Sequence, residues 1–346
     1  MTTNLAAASI IATGTTTTRT LGARFADVIN VKDFGALGDN SHNDAPNIQA
    51  AFDAAFGTSA SPHGSASATS NKAVFFPAGA YKCGSTLTLT KVVGGRIFGS
   101  GISSTRLEYS GSIAANTALI QTNGCAGLSM ENMNLSINGF GTATIAIDLN
   151  WDNTSGGDGL HSNSFTNMLI EGDSAASGII VARSNNGGAN NLFLNCSFQT
   201  FTSGIKFAGS AAFGNCVVSG GGSGVVYWCS SSGGSVSIFG VSIEGGGGYG
   251  IKVDSNVAVA VSGLRSEATK IFSISNGQVS IRGATHADPG ASCEFANITG
   301  GKVLIDGCSL NANSHIVGSS GSLYLRGNFF TAGYHSTYSG TVVQEI

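Results

Sequence analysis

The sequence predicts an all-β fold, a parallel β-helix with three strands per coil. Three observations carry that prediction: a composition rich in turn residues, a pivot motif recurring about every twenty residues, and a phase jump in strand alternation at each pivot. Charged residues make up 10% of the 346, while glycine alone supplies 51. Glycine at that level without a strict triplet period excludes collagen. With 42% hydrophobic residues and 19 phenylalanines, the chain has ample material for a core and is not a disordered segment. Many short strands joined by Gly, Asn and Ser turns fit this composition.

The repeat is read from stretches of one shape: SMENMNLSI, SFTNMLIEG, LFLNCSFQT, AFGNCVVSG, SIFGVSIEG, AVSGLRSEA, SIRGATHAD, KVLIDGCSL and LYLRGNFFT. Their central residues are Asn132, Asn167, Asn195, Asn215, Gly240, Gly263, Gly283, Gly307 and Gly327. From Asn195 onward the spacings are 20, 25, 23, 20, 24 and 20 residues, a solenoid period. Asn and Gly are the residues that enter the left-handed backbone region most readily, so one of them can turn a strand sharply. Apolar residues stand two before the pivot (Met130, Phe165, Phe193, Ile281) and one after it (Met133, Met168, Cys196, Cys308). Alternation therefore changes phase across the pivot, which makes a corner whose two arms face one interior. A third apolar segment in each repeat (GIIVA, GIKFA, GVVYW, GIKVD, KIFSI, SHIVG) completes the coil. Stacked coils predict ladders: Arg282, Asp306 and Arg326 in one outward file, and Cys196, Cys216 and Cys308 in one inward file. Val226, Phe272 and Ile274 are expected to face outward as apolar surface.

Before the coils, the period changes. Asp44 is placed to cap a helix, Pro46 suits its first turn, and Ile48, Phe52, Ala55 and Phe56 share one face. Such a helix would plug the open end of a solenoid. Residues 57–72 read as a loop. The division expected is 1–30 as a Thr-rich attachment segment, 31–330 as β-helix with its cap, and 331–346 as a C-terminal tail.

Charge and cysteines exclude several functions. A net charge of −3 with scattered basic residues offers no footprint for nucleic acid. No apolar run approaches the roughly 18 residues of a membrane span. Seven cysteines without CxxC spacing read as reduced, buried thiols of a protein made in the cytoplasm. The N-terminus MTTNLAAASIIATG lacks the basic and long apolar regions of a signal peptide, which weighs against a secreted bacterial lyase.

The run VKDFGALGDNSHNDAPNIQAAFDAA, followed by AVFFPAGAYKCGSTLTL, resembles the pectate-lyase superfamily of right-handed β-helices. Asp33-Phe34-Gly35-Ala36, Gly38-Asp39, Phe76-Pro77-Ala78-Gly79 and Tyr81 carry the likeness. The lead-in GTTTTRTLGARFADVINVKDFGALGD is similar to that of bacteriophage tail spikes. This resemblance implies a trimeric virion spike that binds, and often cleaves, host surface polysaccharide (capsule or lipopolysaccharide). Residues 1–30 would then join other virion tail proteins. Of the galacturonase elements of this superfamily, the sequence holds one Asn-x-Asp, Asn150-Trp151-Asp152, and neither an Asp-Asp pair nor Gly-His-Gly.

Candidate chemistry lies on the ladders. Four residues after the pivots the file reads Ser136, Glu171, Gln199, Ser219, Glu244 and Glu267. Glu244 and Glu267 fall on adjacent coils, as a carboxyl pair for acid/base work requires, with Glu171 as a third candidate. The plainer reading has both splayed into solvent or neutralised by Arg265. Trp151, Asp152 and Asp158, with Asp148 and His161, lie in an insertion where an indole could stack on a sugar and aspartates could bind its hydroxyls. An Asx-rich turn explains the same residues. Trp228 is a second aromatic platform or, equally, a subunit contact. No motif calls for a cofactor or a metal. Two functions stay open: a polysaccharide-degrading tail spike, and a non-enzymatic virion fibre that adsorbs glycan or decorates the particle.

Overall fold

The computed structural model describes all residues except 1–6, 12–13, 15, 59–60, 63–71, 111–116, 138–143, 151–161, 173–179, 202–203, 222–224, 230–233, 246–247, 287–291, 311–313, 331–334 and 346. The described chain is a β-helix of three parallel sheets. The first sheet runs from Val28–Asn30 through Ala73–Phe76 and Arg96–Gly99 to Thr341–Glu345. The second follows each pivot, beginning at Asp39–Asn43 and ending at Phe329–Phe330. The third holds the remaining segment of each coil, from Leu87–Thr90 to His335–Tyr338.

All nine expected pivots have positive φ, from 49° at Asn215 to 63° at Gly263. The corner is thus built by a single left-handed residue, as the phase jump requires. Residues flanking it are inward: Met130, Phe165, Phe193, Phe213, Ile238, Val261, Ile281 and Ile305 before it, and Met133 through Cys308 after it, are all buried. Asn328, the last of the second file, is polar for a reason. Its amide oxygen accepts the Cys308 N–H (2.9 Å) and its amide nitrogen donates to the Ile305 carbonyl (2.8 Å), tying the last corner to the coil before it.

The core is stacked by register. Phe165, Phe193 and Phe213 lie on consecutive coils, with ring centroids 4.6 and 5.0 Å apart and planes within 10°. Tyr227 closes the stack edge-on against Phe213 at 5.0 Å. All seven cysteines are free and buried, and Cys196 and Cys216 are neighbours in one inward file. Contact with the Cys216 thiol, and then burial, push the Cys196 thiol well above its ordinary range.

Three expectations are corrected. Val226, Phe272 and Ile274 are buried, not outward; in the strand Lys270–Ile274 the adjacent Ile271 and Phe272 are both inside, an irregularity that strict alternation misses. The coils do not stop at 330, because His335–Tyr338 and Thr341–Glu345 extend the third and first sheets. At the other end the first sheet begins at Val28, within the segment assigned to attachment. The capping helix spans Ala45–Phe56 and buries Ala45, Ile48, Ala51, Phe52, Ala55 and Phe56. Asp44 occupies the N-cap position without capping. Its buried carboxylate instead accepts the Leu37 and Gly38 N–H groups at 2.7 and 3.0 Å, fastening the turn before the helix.

Candidate functional site

On the outward face of the second sheet, register builds one continuous polar file. Lys82 pairs with Glu108, Glu108 with Ser136, Ser136 with Glu171, Glu171 with Gln199, Gln199 with Ser219, and Ser219 with Glu244. Ser242 and Ile243 pair with Arg265 and Ser266, and the Glu267 N–H donates to the Ile243 carbonyl at 2.8 Å, so Glu267 continues the file. All three glutamates singled out from the sequence therefore lie on one ladder.

Their surroundings differ. Glu244 and Glu267 are exposed, and Arg265 donates to Glu267 at 2.6 Å. Glu171 is half-buried and accepts from the Asn134 amide at 2.8 Å. Beside it, Ser136 is fully buried and its hydroxyl oxygen accepts from Arg106 Nη2 at 3.0 Å. The same guanidinium lies 3.4 Å from Glu108. Arg106 and Glu108 escape the pivot alignment, while Asn134 falls within it, two residues after Asn132 at an outward position. The strand Thr105–Tyr109 follows a turn around Gly101 rather than an Asn or Gly pivot, so Glu108 has no place among the repeats. Its phase in TRLEY, outward between buried Leu107 and Tyr109, is the signal that could have found it.

The third sheet carries the other candidate. Trp228 is half-buried at an outward position, in register with Lys206 and Lys252. Its indole N–H donates to Asp254 at 2.7 Å, and the Lys252 ammonium sits 4.2 Å from the ring centroid while pairing with Asp254 at 3.2 Å. One ring face is thus engaged within the chain. One coil on, Tyr249 donates to Glu294, accepts from Asn297 at 3.2 Å and has Lys270 5.5 Å from its ring. Burial first, then the bond to Glu294, raises the Tyr249 hydroxyl pKa. Asp148 is buried on the file that runs through Lys206 to Trp228. Trp151, Asp152, Asp158 and His161 lie outside the described residues.

Among the described residues no group of three His, Cys, Asp or Glu side chains is arranged to hold a metal. No described helix is long and apolar enough to cross a membrane.

The chain is similar in fold to tailspike protein 3 of bacteriophage CBA120, at 12% identity and a TM-score of 0.59, covering 96% of this chain and 64% of that one. The tailspike protein of E. coli bacteriophage HK620, solved with a pentasaccharide, matches at 13% identity and 0.58, over 98% and 69%. In sequence, the mannuronan C5-epimerases AlgE3 and AlgE1 of Azotobacter vinelandii are each 34% identical, over 137 and 135 residues. Those stretches are 38% and 37% of this chain and 6% and 8% of the epimerases, so the chain spans a small part of these curated relatives. The family described as rhamnogalacturonase A/epimerase, pectate lyase-like, matches residues 28–269, which include the capping helix and the coils through Glu267. The chain belongs to that family.

Proposed function

We propose that this protein is a phage tailspike that binds host surface polysaccharide and cleaves it on the outward face of the second sheet. The observation that carries the reading is the file holding Glu108, Ser136, Glu171, Glu244 and Glu267 on a chain with only 10% charged residues. Carboxyls concentrated on one ladder supply the acid and base of glycoside cleavage. Trp151, Asp152, Asp158 and the face of Trp228 turned away from Lys252 are assigned to holding the glycan. The likeness of fold to two tailspikes, one of them solved with an oligosaccharide, supports the substrate class.

Incubating the protein with host capsule and lipopolysaccharide, and assaying new reducing or unsaturated ends, tests this. Absence of new ends with every glycan sinks the enzymatic reading. The exposure of Glu244 and the pairing of Glu267 with Arg265 favour a second reading, a fibre that adsorbs glycan without cutting it. Glycan binding without new ends would then be the result.

Virion attachment is assigned to residues 1–30. Ile10, Ile11, Phe25 and Val28 are all exposed there, as a surface awaiting a tail protein would be. A homotrimer is assigned to the first sheet, where the register file Ser237, Ala260, Ser280, Leu304 and Tyr324 lines a groove of about 380 Å³. Light scattering showing a stable monomer at micromolar concentration defeats the trimer.

A further inference from the structure

We propose that the working centre of the second-sheet file is Glu108 with Glu171, and that Arg106 and Asn134 hold the sugar between them; this rests on the reading of the chain as a glycan-cleaving protein. Two polar atoms point to a ligand there. Asn134 is 7% exposed; its amide nitrogen is engaged by Glu171, while its Oδ1 is buried with no partner among the described residues. Arg106 donates through Nη2 to Ser136, and its Nε is buried with no partner among the described residues. Buried donors and acceptors are nearly always satisfied, and the two orphans are complementary. A sugar hydroxyl can donate to Asn134 Oδ1 and accept from Arg106 Nε–H. At the other end of the file neither Glu244 nor Glu267 has such a neighbour: Arg265 is satisfied by Glu267 and Ser242.

Spacing fits the chemistry. Glu108 and Glu171 flank Ser136 in register, so their backbones stand two coil steps apart, roughly 9–10 Å at about 4.8 Å per step. Inverting glycosidases keep their carboxyls about 6.5–9.5 Å apart to admit a water. Glu244 and Glu267 stand one step apart, about 4.8 Å between backbones, nearer the roughly 5 Å spacing of retaining enzymes. Glu108 is assigned the role of base and Glu171 that of acid. Glu108 takes a proton from water as the water oxygen bonds to the anomeric carbon. The bond from that carbon to the glycosidic oxygen breaks, its electron pair going to that oxygen, which takes the proton of Glu171. One water is consumed, the anomeric configuration inverts, and proton exchange with solvent resets both carboxyls.

The test uses the full chain on a glycan that the wild type cleaves. Glu108→Gln and Glu171→Gln should each lower kcat by about 10²–10⁴-fold, with KM changed only a few-fold and the melting temperature retained. Asn134→Ala should chiefly raise KM, by about tenfold, as loss of a hydrogen bond to a bound hydroxyl does. Lys302→Ala, on the first sheet, is the control and should change neither. NMR of the first product should show the inverted anomer. If Glu171→Gln folds poorly, Glu171→Asp keeps an acceptor for Asn134 and should still lose at least about tenfold in kcat. Parental kcat in either folded Gln variant, or a retained anomer, overturns the assignment while leaving the glycan-cleaving reading intact. A wild type that binds glycan without cutting it removes the acid and base roles. The sugar-holding role then stands only if Asn134→Ala and Arg106→Ala weaken binding, and unchanged binding overturns it.

Discussion

The two halves of the solenoid solve the same corner differently. Up to Asn215 the pivots are asparagines, and from Gly240 they are glycines, yet their φ angles fall between 49° and 63° throughout. The backbone is therefore one structure, and the difference lies in what side chains add. Asn167 donates to Asn132 at 3.3 Å, linking one coil to the next outside the core; a glycine corner adds nothing there. Inside, the asparagine half stacks Phe165, Phe193 and Phe213, whereas the glycine half stacks Ile238, Val261, Ile281 and Ile305. The half with more side-chain material at corner and core also carries the partly enclosed polar cluster around Glu171. Of that cluster, Glu171 shares the strand Ser164–Glu171 with Phe165, the first ring of the stack, which ties the acid's strand to the aromatic core.

The largest effect that can break this comparison is in the core. Phe193→Ala removes a ring stacked on both sides and should cost about 3–5 kcal/mol, whereas Ile281→Val in the glycine half should cost about 0.5–1.5 kcal/mol. Urea denaturation followed by near-ultraviolet circular dichroism measures both. Equal losses would mean that a ring of the aromatic stack contributes no more than one methyl group of the aliphatic file.

Much of this architecture is legible in the amino-acid sequence. Pivot, phase jump and period are one-dimensional signals, so alignment alone places the corners, the inward files and the Arg282–Asp306–Arg326 ladder. Glu108 and Asn134 are harder to see. Glu108 follows a corner of another type, around Gly101–Ser104, and Asn134 sits on an outward phase where any polar residue is acceptable. Burial sets them apart, and burial of an outward residue does not show in a period. The outward assignment of Phe272 fails for the converse reason: two consecutive inward residues in Lys270–Ile274 break the alternation on which it relies.

A smaller effect separates the corners. At Gly307 a Cβ would meet nothing within 4 Å, so only its φ of 60° opposes a side chain. Gly307→Val should cost about 1–2 kcal/mol, the strain of a β-branched residue in the left-handed region, and Gly307→Asn clearly less. At Gly240 a Cβ would lie 2.7 Å from Asn215 Oδ1, the end of a side chain that can rotate away. Gly240→Asn should therefore fold, with a melting temperature close to the parent's. If Gly307→Val and Gly307→Asn melt together, the corners do not select on backbone conformation.

The smallest effect is a pH dependence confined to the glycine half. Asp306 stands between Arg282 and Arg326 in register, accepting from Arg326 at 2.7 Å with Arg282 at 3.7 Å. The hydrogen bond from Arg326, more than the two charges, holds its carboxyl below the ordinary range. A carboxyl whose folded pKa is depressed binds its proton more readily when unfolded, near pH 3.9. Its contribution is therefore complete above that pH and is lost as pH falls through the lower folded value. Asp306→Asn should flatten that part of the acid limb of stability and leave stability at pH 7 little changed, because exposed pairs contribute little and salt screens them. Arg326→Ala should flatten it too, since it removes the main cause of the shift. Hydrogen exchange at pH 3 and pH 6 locates the effect, with Ile305 and Leu325 in the same strands losing protection at the lower pH while Phe165 and Phe193 keep theirs. An acid-induced loss spread evenly over both halves would show that the two unfold as one unit, with the charged ladder contributing nothing local.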